Sequence, residues 1–488
     1  MRTRVAVAVA VAVIVAYSTW LRWRVLGATP FPTGIDGYFY PVQLRALLEH
    51  GGLAYPAPPL TFWFMAPFAA ITDPIVGAKL GAALGGALVA VPAYGLGARL
   101  GRSWAAGLLA ASLAAFSAGS TYLTIEYVKN GIGITVALAA LWLVLRAIAT
   151  PTRNRLIAAG LAILAAILTH KMAAAIVVCC ATPAAFTAAI GRGTLRGRRL
   201  LYLVIGVGAI ALGFLVLGIV APHRFIAPDD LALMRGLFGS RVIWDALATR
   251  HVTLAMGHEA LIGGILAVGA GVALALRGQL LAPAERTVGW VIVGLGLLIA
   301  FPLLAVDDPQ GLGFRLRIVA YVPRALCAAV IVGVVPRHHL IAPLLAAVVA
   351  MIAPRGTEVE GEIITHPALV TAALALQGQI PAGGVAIVPE RHIAFMVAWY
   401  ADVPVSLRPE PVPRDRRWRV MPLSFIGMGS PLDTALTAAR DEPSLAPPLG
   451  LHPRHPNGMV LVAEPTWEWI LARLPPPAQR HFRAWPTI

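Results

Sequence analysis

The feature that most constrains this chain is a series of apolar stretches, many of them about 18 residues or longer, joined by more polar segments. In a bilayer each such stretch satisfies its own backbone hydrogen bonds as a helix. Of the 488 residues, 58% are hydrophobic and only 13% charged. A soluble domain is about half apolar and about a quarter charged. A cytosolic enzyme, a fibrous protein and a disordered chain are thereby excluded. The expected class is a polytopic α-helical membrane protein.

About eleven spans are expected, over 5–20, 76–98, 103–121, 131–147, 156–169, 172–190, 200–221, 259–276, 287–304, 318–335 and 339–354. With Met1 inside, the inner segments carry Arg2, Arg4, Arg99, Arg102, Arg146, Arg153, Arg155, the Arg192–Arg199 cluster, Arg277, Arg286 and Arg337. The one acid among them is Glu285; the other 22 of the 23 acids fall outside or at outer helix ends. Cytoplasmic loops collect Lys and Arg, so the pattern orients the chain in the cytoplasmic membrane with its N-terminus inside. The formal net charge of +16 is then a topology signal, with anionic inner-leaflet lipid as its partner rather than nucleic acid. The first span is read as a retained signal anchor, because no clear small-residue cleavage site precedes Leu21. Cys179, Cys180 and Cys327 lie in apolar runs and form no disulfide or metal framework.

The first domain is therefore expected over 1–354, with a long first outer loop at about 21–75, and a second over 355–488. In the tail, proline becomes frequent and charges of both signs return. GVAIVP (384–389) and GMVLVA (458–463) read as short strands, followed by helical stretches near 391–400 and 465–473. This predicts a small extracytoplasmic α/β domain. The inner loops carry no GxxxxGK[ST] pattern, so any chemistry is expected on the outer face.

The first outer loop contains GIDGYFYPVQLRALLEHGG. Gly34 and Gly37 allow a tight turn around Asp36, Pro41 fits the first turn of a helix, and Gly51-Gly52 ends it. An amphipathic helix in the interface plane is expected, with Tyr38, Tyr40 and Trp63 at headgroup depth. Asp36 is either an ordinary helix N-cap or a carboxylate held at the membrane surface as base or metal ligand. Elsewhere, Glu126, Lys129 and Asn130 have the spacing of one helix face. They are either an exposed helix-end ion pair or part of a second acidic site. His170-Lys171 is either a snorkelling anchor or a phosphate contact. Asp307, Asp308, Arg315 and Arg317 form a further outer cluster, read as helix-end anchors or as a phosphate clamp. His452 and His455 look like a metal pair but lack further ligands at suitable spacing, and are read as loop histidines.

Asp36, Tyr38, Phe39, Arg45, Glu49, His50 and Gly51 carry a resemblance. An Asp, an aromatic pair and an Arg-containing helix ending in EHG resemble the first outer loop of C-superfamily (GT-C) glycosyltransferases. That group includes oligosaccharyltransferase catalytic subunits, protein O-mannosyltransferases and aminoarabinose transferases. The likeness is close over some 20 residues and loose over the whole topology. It implies Asp36 as catalytic base or metal ligand and Glu126 as the second acidic residue. A divalent cation such as Mg or Mn is optional, because the superfamily has metal-free members. The tail lacks the WWDYG-type motif of oligosaccharyltransferases, which argues for a monosaccharide transferase of bacterial type or a separate family.

Nucleotide sugars are cytoplasmic, so an outer-face transferase needs a donor already across the membrane. A polyprenyl-phosphate sugar meets that need. Asp36 would take the acceptor's proton, acting with Glu126. Tyr38, Arg45, Lys129, His170, Lys171, Arg315 and Arg317 would bind donor and acceptor, the latter a glycan, lipid or protein. The alternative is a polytopic transporter or lipid-linked-sugar flippase. Transporters place ionisable residues near the midplane on broken helices of related halves. Here Lys79 is read as the one ionisable residue inside a span, and no internal repeat is evident, although Pro92, Pro183, Pro302 and Pro323 interrupt spans.

Overall fold

The computed structural model describes residues 2–34, 36–191, 251–300, 317–335, 338–356, 367–388, 390–407, 412–422, 426–427, 429–449 and 458–484, with isolated positions 208, 212, 213, 216 and 220. It divides into two compact units. The first is Met1–Ala28, Tyr55–Ile71 and Val76–Gly361; the second is Thr29–Ala54, Thr72–Ile75 and Glu362–Ile488. Residues 29–54 of the first loop therefore fold with the tail, whereas a boundary near 354 would place them with the apolar helices.

In the first unit, six helices among the described residues are long and apolar enough to cross a bilayer: Thr3–Leu26, Pro74–Leu100, Val128–Ala149, Lys171–Gly191, His258–Leu280 and Pro283–Ala300. Trp104–Ala115 and Ala118–Ile125 make a seventh if the pair, bent by 47°, is counted as one span. The reading of eleven counted shorter segments as well. Arg153–Thr169 has 17 residues and Tyr321–Val332 has 12. At about 1.5 Å per residue these reach about 26 and 18 Å, short of a hydrocarbon core of about 30 Å. The expected span at 200–221 lies almost wholly outside the described residues.

Small residues let these helices approach closely, as membrane interiors favour. A Cβ on Gly333 would sit 2.4 Å from the Gly101 carbonyl oxygen, and one on Gly97 would sit 2.5 Å from the Ala110 Cβ. Around them pack Leu96, Leu141, Val288 and Cys327, all buried. Arg99 meets Glu285 at 2.6 Å, giving that acid an arginine partner.

Lys79 is not alone inside the apolar segments. Arg22 is buried, and its guanidinium donates to Thr124 Oγ1 at 3.1 Å, to Ser120 Oγ at 2.8 Å and to Ser18. Glu259, also buried, meets Arg324 at 2.9 Å. Glu259 and Arg324 fill the break in the bent helix pair. Glu259 accepts from Ser117 Oγ and from the backbone N–H groups of Ala118 and Gly119, at 2.7–3.1 Å. Arg324 donates to the Leu113 carbonyl at 3.0 Å. Backbone groups freed by a break in hydrocarbon must find partners within the protein, and here a buried ion pair supplies them.

The second unit holds a four-stranded sheet, β1 (Val385–Ile387), β2 (Val405–Ser406), β3 (Arg417–Pro422) and β4 (Met459–Ala463), in the order β2-β1-β3-β4. β1 runs parallel to β2 and β3, pairing Ala386 with Val405 and Trp418; β4 is antiparallel to β3, with Val420 opposite Leu461. The two expected strands and their following helices, Arg391–Tyr400 and Glu464–Arg473, are present. β3 was missed because its sequence, RWRVMP, begins with two arginines flanking Trp418. Burial resolves that conflict. Glu464 is buried and takes Arg419 through paired contacts of 2.8 and 2.9 Å, beside a core of Met421, Leu436, Val460, Val462, Trp467 and Ile470.

Candidate active site

The site is built on the turn before the helix Phe39–His50. Gly34 has φ +81°, a left-handed conformation that glycine accepts without strain. Gly37 donates back to the Gly34 carbonyl at 3.0 Å, and a Cβ on it would lie 2.7 Å from the Thr33 oxygen. Asp36 is held in this tight turn. The helix ends as expected at Gly51, left-handed at φ +71°, whose N–H bonds to Leu47.

Asp36 is not a side-chain cap. The N-cap is Tyr38, whose side chain makes no capping hydrogen bond, and Asp36 contributes only its backbone carbonyl, to the Phe39 N–H at 3.0 Å. Its carboxylate instead meets Arg391 Nε at 2.6 Å through Oδ1. Arg391 opens the helix Arg391–Tyr400. The guanidinium also lies over the rings of Phe39 and Phe395, 5.6 and 5.8 Å from their centroids.

Three more contacts fasten the loop to that helix. The Tyr38 and Tyr400 hydroxyls lie 3.2 Å apart, and Phe39 meets Phe395 edge-on at 4.9 Å. Arg45 donates to the Trp399 and Ala398 carbonyls and to Asp402 Oδ1, at 2.9–3.1 Å, with its guanidinium 4.7 Å from the Trp399 ring centroid. It thus caps a helix C-terminus, where a cation and donors are favourable.

These contacts correct two expectations. Tyr38 and Tyr40 are buried among protein groups rather than standing at headgroup depth, although Trp63 is exposed. Arg45, expected on substrate, uses its guanidinium to anchor the loop. The helix Phe39–His50 buries its first turns because the unit offers it an aromatic helix to pack on.

His392 is buried, with Tyr38 edge-on at 5.7 Å. Burial lowers its pKa to about 4, while a hydrogen bond to the Gly34 backbone pulls the other way. It is therefore neutral near pH 7. Glu390, half-buried at the N-cap of the same helix, has its carboxyl pushed upward by burial.

The remaining expected residues belong to the first unit. Glu126, Lys129 and Asn130 do not share one helix. Glu126 caps the C-terminus of Ala118–Ile125, whereas Lys129 and Asn130 lie in the first turn of Val128–Ala149. Glu126 and Asn130 are buried and Lys129 is half-buried. His170 caps the end of Arg153–Thr169, and its Nδ1 accepts from the Met172 N–H at 3.1 Å. A Cβ on Gly133 would be 3.2 Å from the His170 Cβ, so His170 lies against the helix that carries Lys129. Lys171 is exposed and Arg317 half-buried. Arg315, Asp307, Asp308, His452 and His455 lie outside the described residues.

A divalent cation needs several oxygen ligands. The charged group beside Asp36 is an arginine rather than a second carboxylate. No cluster of three or more His, Cys, Asp or Glu occurs among the described residues. The residues around Asp36 do not fit a metal site, and no step is derived through one.

Residues 56–218 match the family described as dolichyl-phosphate-mannose-protein mannosyltransferase. No curated protein matches the sequence. Among solved structures, the chain is similar to an Archaeoglobus fulgidus oligosaccharyltransferase, in complex with Zn and sulfate, with TM-score 0.55 and 16% identity over 81% of this chain and 62% of the other. It is also similar to ArnT from Cupriavidus metallidurans, bound to undecaprenyl phosphate, with TM-score 0.51 and 14% identity over 93% and 98%. The chain shares the fold of these two structures, in agreement with the resemblance carried by the first outer loop. The chain spans 62% of the length of the oligosaccharyltransferase it matches. The family match begins after Asp36, so the role of that residue rests on its own geometry and on the loop resemblance.

Arg391 escaped the sequence reading. The stretch 391–400 was legible as a helix, but nothing local marks its first residue as the partner of Asp36. Arg22, Glu259 and Arg324 did carry a signal, since charged residues in apolar segments cost several kcal/mol and persist only with partners.

Proposed function

We propose that this protein is a membrane glycosyltransferase that moves a sugar from a polyprenyl-phosphate donor to an acceptor hydroxyl on the outer face of the cytoplasmic membrane. The observation that carries the reading is the Asp36 carboxylate, held in a glycine turn with Oδ1 on Arg391. Oδ2 has no described hydrogen-bond partner and is free to accept a hydroxyl proton. The GT-C fold supports the reaction class, and the undecaprenyl phosphate bound by the ArnT neighbour supports the donor class.

In this reading Asp36 is the base. The acceptor oxygen attacks the anomeric carbon, the bond to the phosphate oxygen breaks, and configuration inverts. The leaving phosphate is already a stable anion, so cations serve it better than a general acid. Lys129, Lys171, Arg315 and Arg317 are the cations assigned to donor and acceptor, with Glu126 as the second acid and His170 as a further substrate contact. The tail forms an extracytoplasmic domain.

A transporter or flippase is the competing reading, and the broken helix pair is the feature that favours it. Transport sites use the exposed N-terminus of a half-helix to hold substrate. Here Glu259 already occupies the N-terminus of Ala118–Ile125.

Asp36→Asn tests the assignment. In cells lacking the gene, wild type should restore a surface glycan detectable by mass spectrometry. Asp36→Asn should lower transfer by about 10²–10⁴-fold, the range for loss of a positioned base, with normal membrane insertion. Retained turnover removes Asp36 from the mechanism.

A further inference from the structure

Arg391 has chemistry to spare. A guanidinium carries five N–H donors in a planar fork. Its Nε meets Asp36 at 2.6 Å, and among the described residues its guanidinium otherwise lies over the faces of Phe39 and Phe395. Nη1 and Nη2 therefore offer four donors with no described polar partner, on a side chain 42% exposed. Asp36, by contrast, is 14% exposed. Two aromatic faces hold the fork in place, and the helix that Arg391 opens adds its positive end. The acid on the same element is Glu390, at the N-cap. The carboxylate thus accepts a proton on one side while the fork presents donors on the other. This is the pairing an in-line displacement needs from base and leaving-group binder.

We infer that Arg391 binds the phosphate of the lipid-linked donor, its Nη groups taking two non-bridging oxygens while Nε keeps Asp36 aligned. The inference rests on the polyprenyl-phosphate reading above. The acceptor oxygen bonds to the anomeric carbon as the carbon–phosphate-oxygen bond breaks. The hydroxyl proton passes to Asp36 Oδ2, and the electron pair leaves on the phosphate held by Arg391. The tail thereby supplies a catalytic residue, an arginine that neutralises the charge developing on the leaving phosphate. Arginine suits this role because its fork matches phosphate geometry bidentately and stays charged at any working pH.

The test uses the full chain in nanodiscs with undecaprenyl phosphate as probe. Phenylglyoxal modification of Arg391, read by peptide mass spectrometry, should be slowed by the lipid at concentrations about tenfold or more below those at which inorganic phosphate acts, because the tail concentrates the headgroup at the membrane. Arg391→Met should weaken lipid binding about tenfold or more. Arg391→Lys should fall between, and Asp36→Asn should bind at least as tightly as wild type while losing transfer. Equal protection by lipid and inorganic phosphate overturns the lipid assignment. Lipid binding without protection of Arg391 in the wild-type protein overturns the inference alone, whether or not Arg391→Met folds. Absence of lipid binding to wild type overturns both the inference and the donor reading beneath it.

Discussion

Glu259 and Arg324 meet at 2.9 Å within the apolar unit and close both sides of the break between Trp104–Ala115 and Ala118–Ile125. Glu259 accepts from the N–H groups that start the second half, and Arg324 donates to a carbonyl near the end of the first. Removing one partner leaves a buried charge uncompensated, at about 3–5 kcal/mol. Arg324→Met should cost that much, and Glu259→Gln paired with Arg324→Met should cost less than the sum of the single changes. Unfolding of the membrane-embedded protein measures both. Additive losses would mean that the two side chains do not act as a unit.

Arg45 and Asp402 form an ion pair at 2.9 Å, but their weights differ. Asp402 is 74% exposed, and exposed pairs contribute about 0–1 kcal/mol. Arg45 also holds two carbonyls at the end of Arg391–Tyr400. Arg45→Ala should destabilise the second unit by about 2–3 kcal/mol, in line with hydrogen bonds from a charged donor. Asp402 has φ +54°, so Asp402→Gly should come out near neutral, as lost pairing offsets relieved backbone strain. Hydrogen exchange across 391–400 separates the two outcomes.

His392 makes the second unit sensitive to acid. Burial lowers its folded pKa to about 4, below an unfolded value of about 6.5. Between these values the unfolded chain binds more protons, so stability is complete above about pH 6.5 and falls as pH drops toward 4. The full contribution is about 3 kcal/mol at about 1.4 kcal/mol per pKa unit. Unfolding midpoints between pH 7 and 4 should decline in wild type and flatten in His392→Phe. An identical slope in both proteins would place the sensitivity elsewhere.

Glycines at helix contacts should respond by position. A Cβ on Gly333 would fall 2.4 Å from the Gly101 oxygen, whereas one on Gly160 would meet nothing within 4 Å. Gly333→Ala should destabilise by about 1–3 kcal/mol. Gly160→Ala, within Arg153–Thr169, should stabilise by about 0.5–1 kcal/mol. Thermal stability in detergent compares them directly.

Much of the second unit was legible because local signals agreed there. GVAIVP and GMVLVA are short β-branched runs, and the strands and helices they predicted are present. The glycine punctuation around Asp36 and at Gly51 also carried through to the structure. β3 was illegible because Arg417 and Arg419 look solvent-bound until Glu464 is placed opposite them. The helix pairing of Glu126 with Lys129 failed for a related reason, since the chain turns at Tyr127 and starts a new helix there.

Apolar run length and scarcity of charge dictate a membrane protein, because backbone in hydrocarbon has no solvent partner and must close on itself as helix. That constraint acts within each segment, so it can be read residue by residue. The partnership of Asp36 with Arg391, the aromatic clasp of Tyr38 and Tyr400, and the stapling of the broken helix by Glu259 and Arg324 follow no local rule. Each joins residues far apart along the chain. Such meetings depend on which helices and strands pack together, so they became visible only once the packed chain brought those side chains within hydrogen-bonding reach.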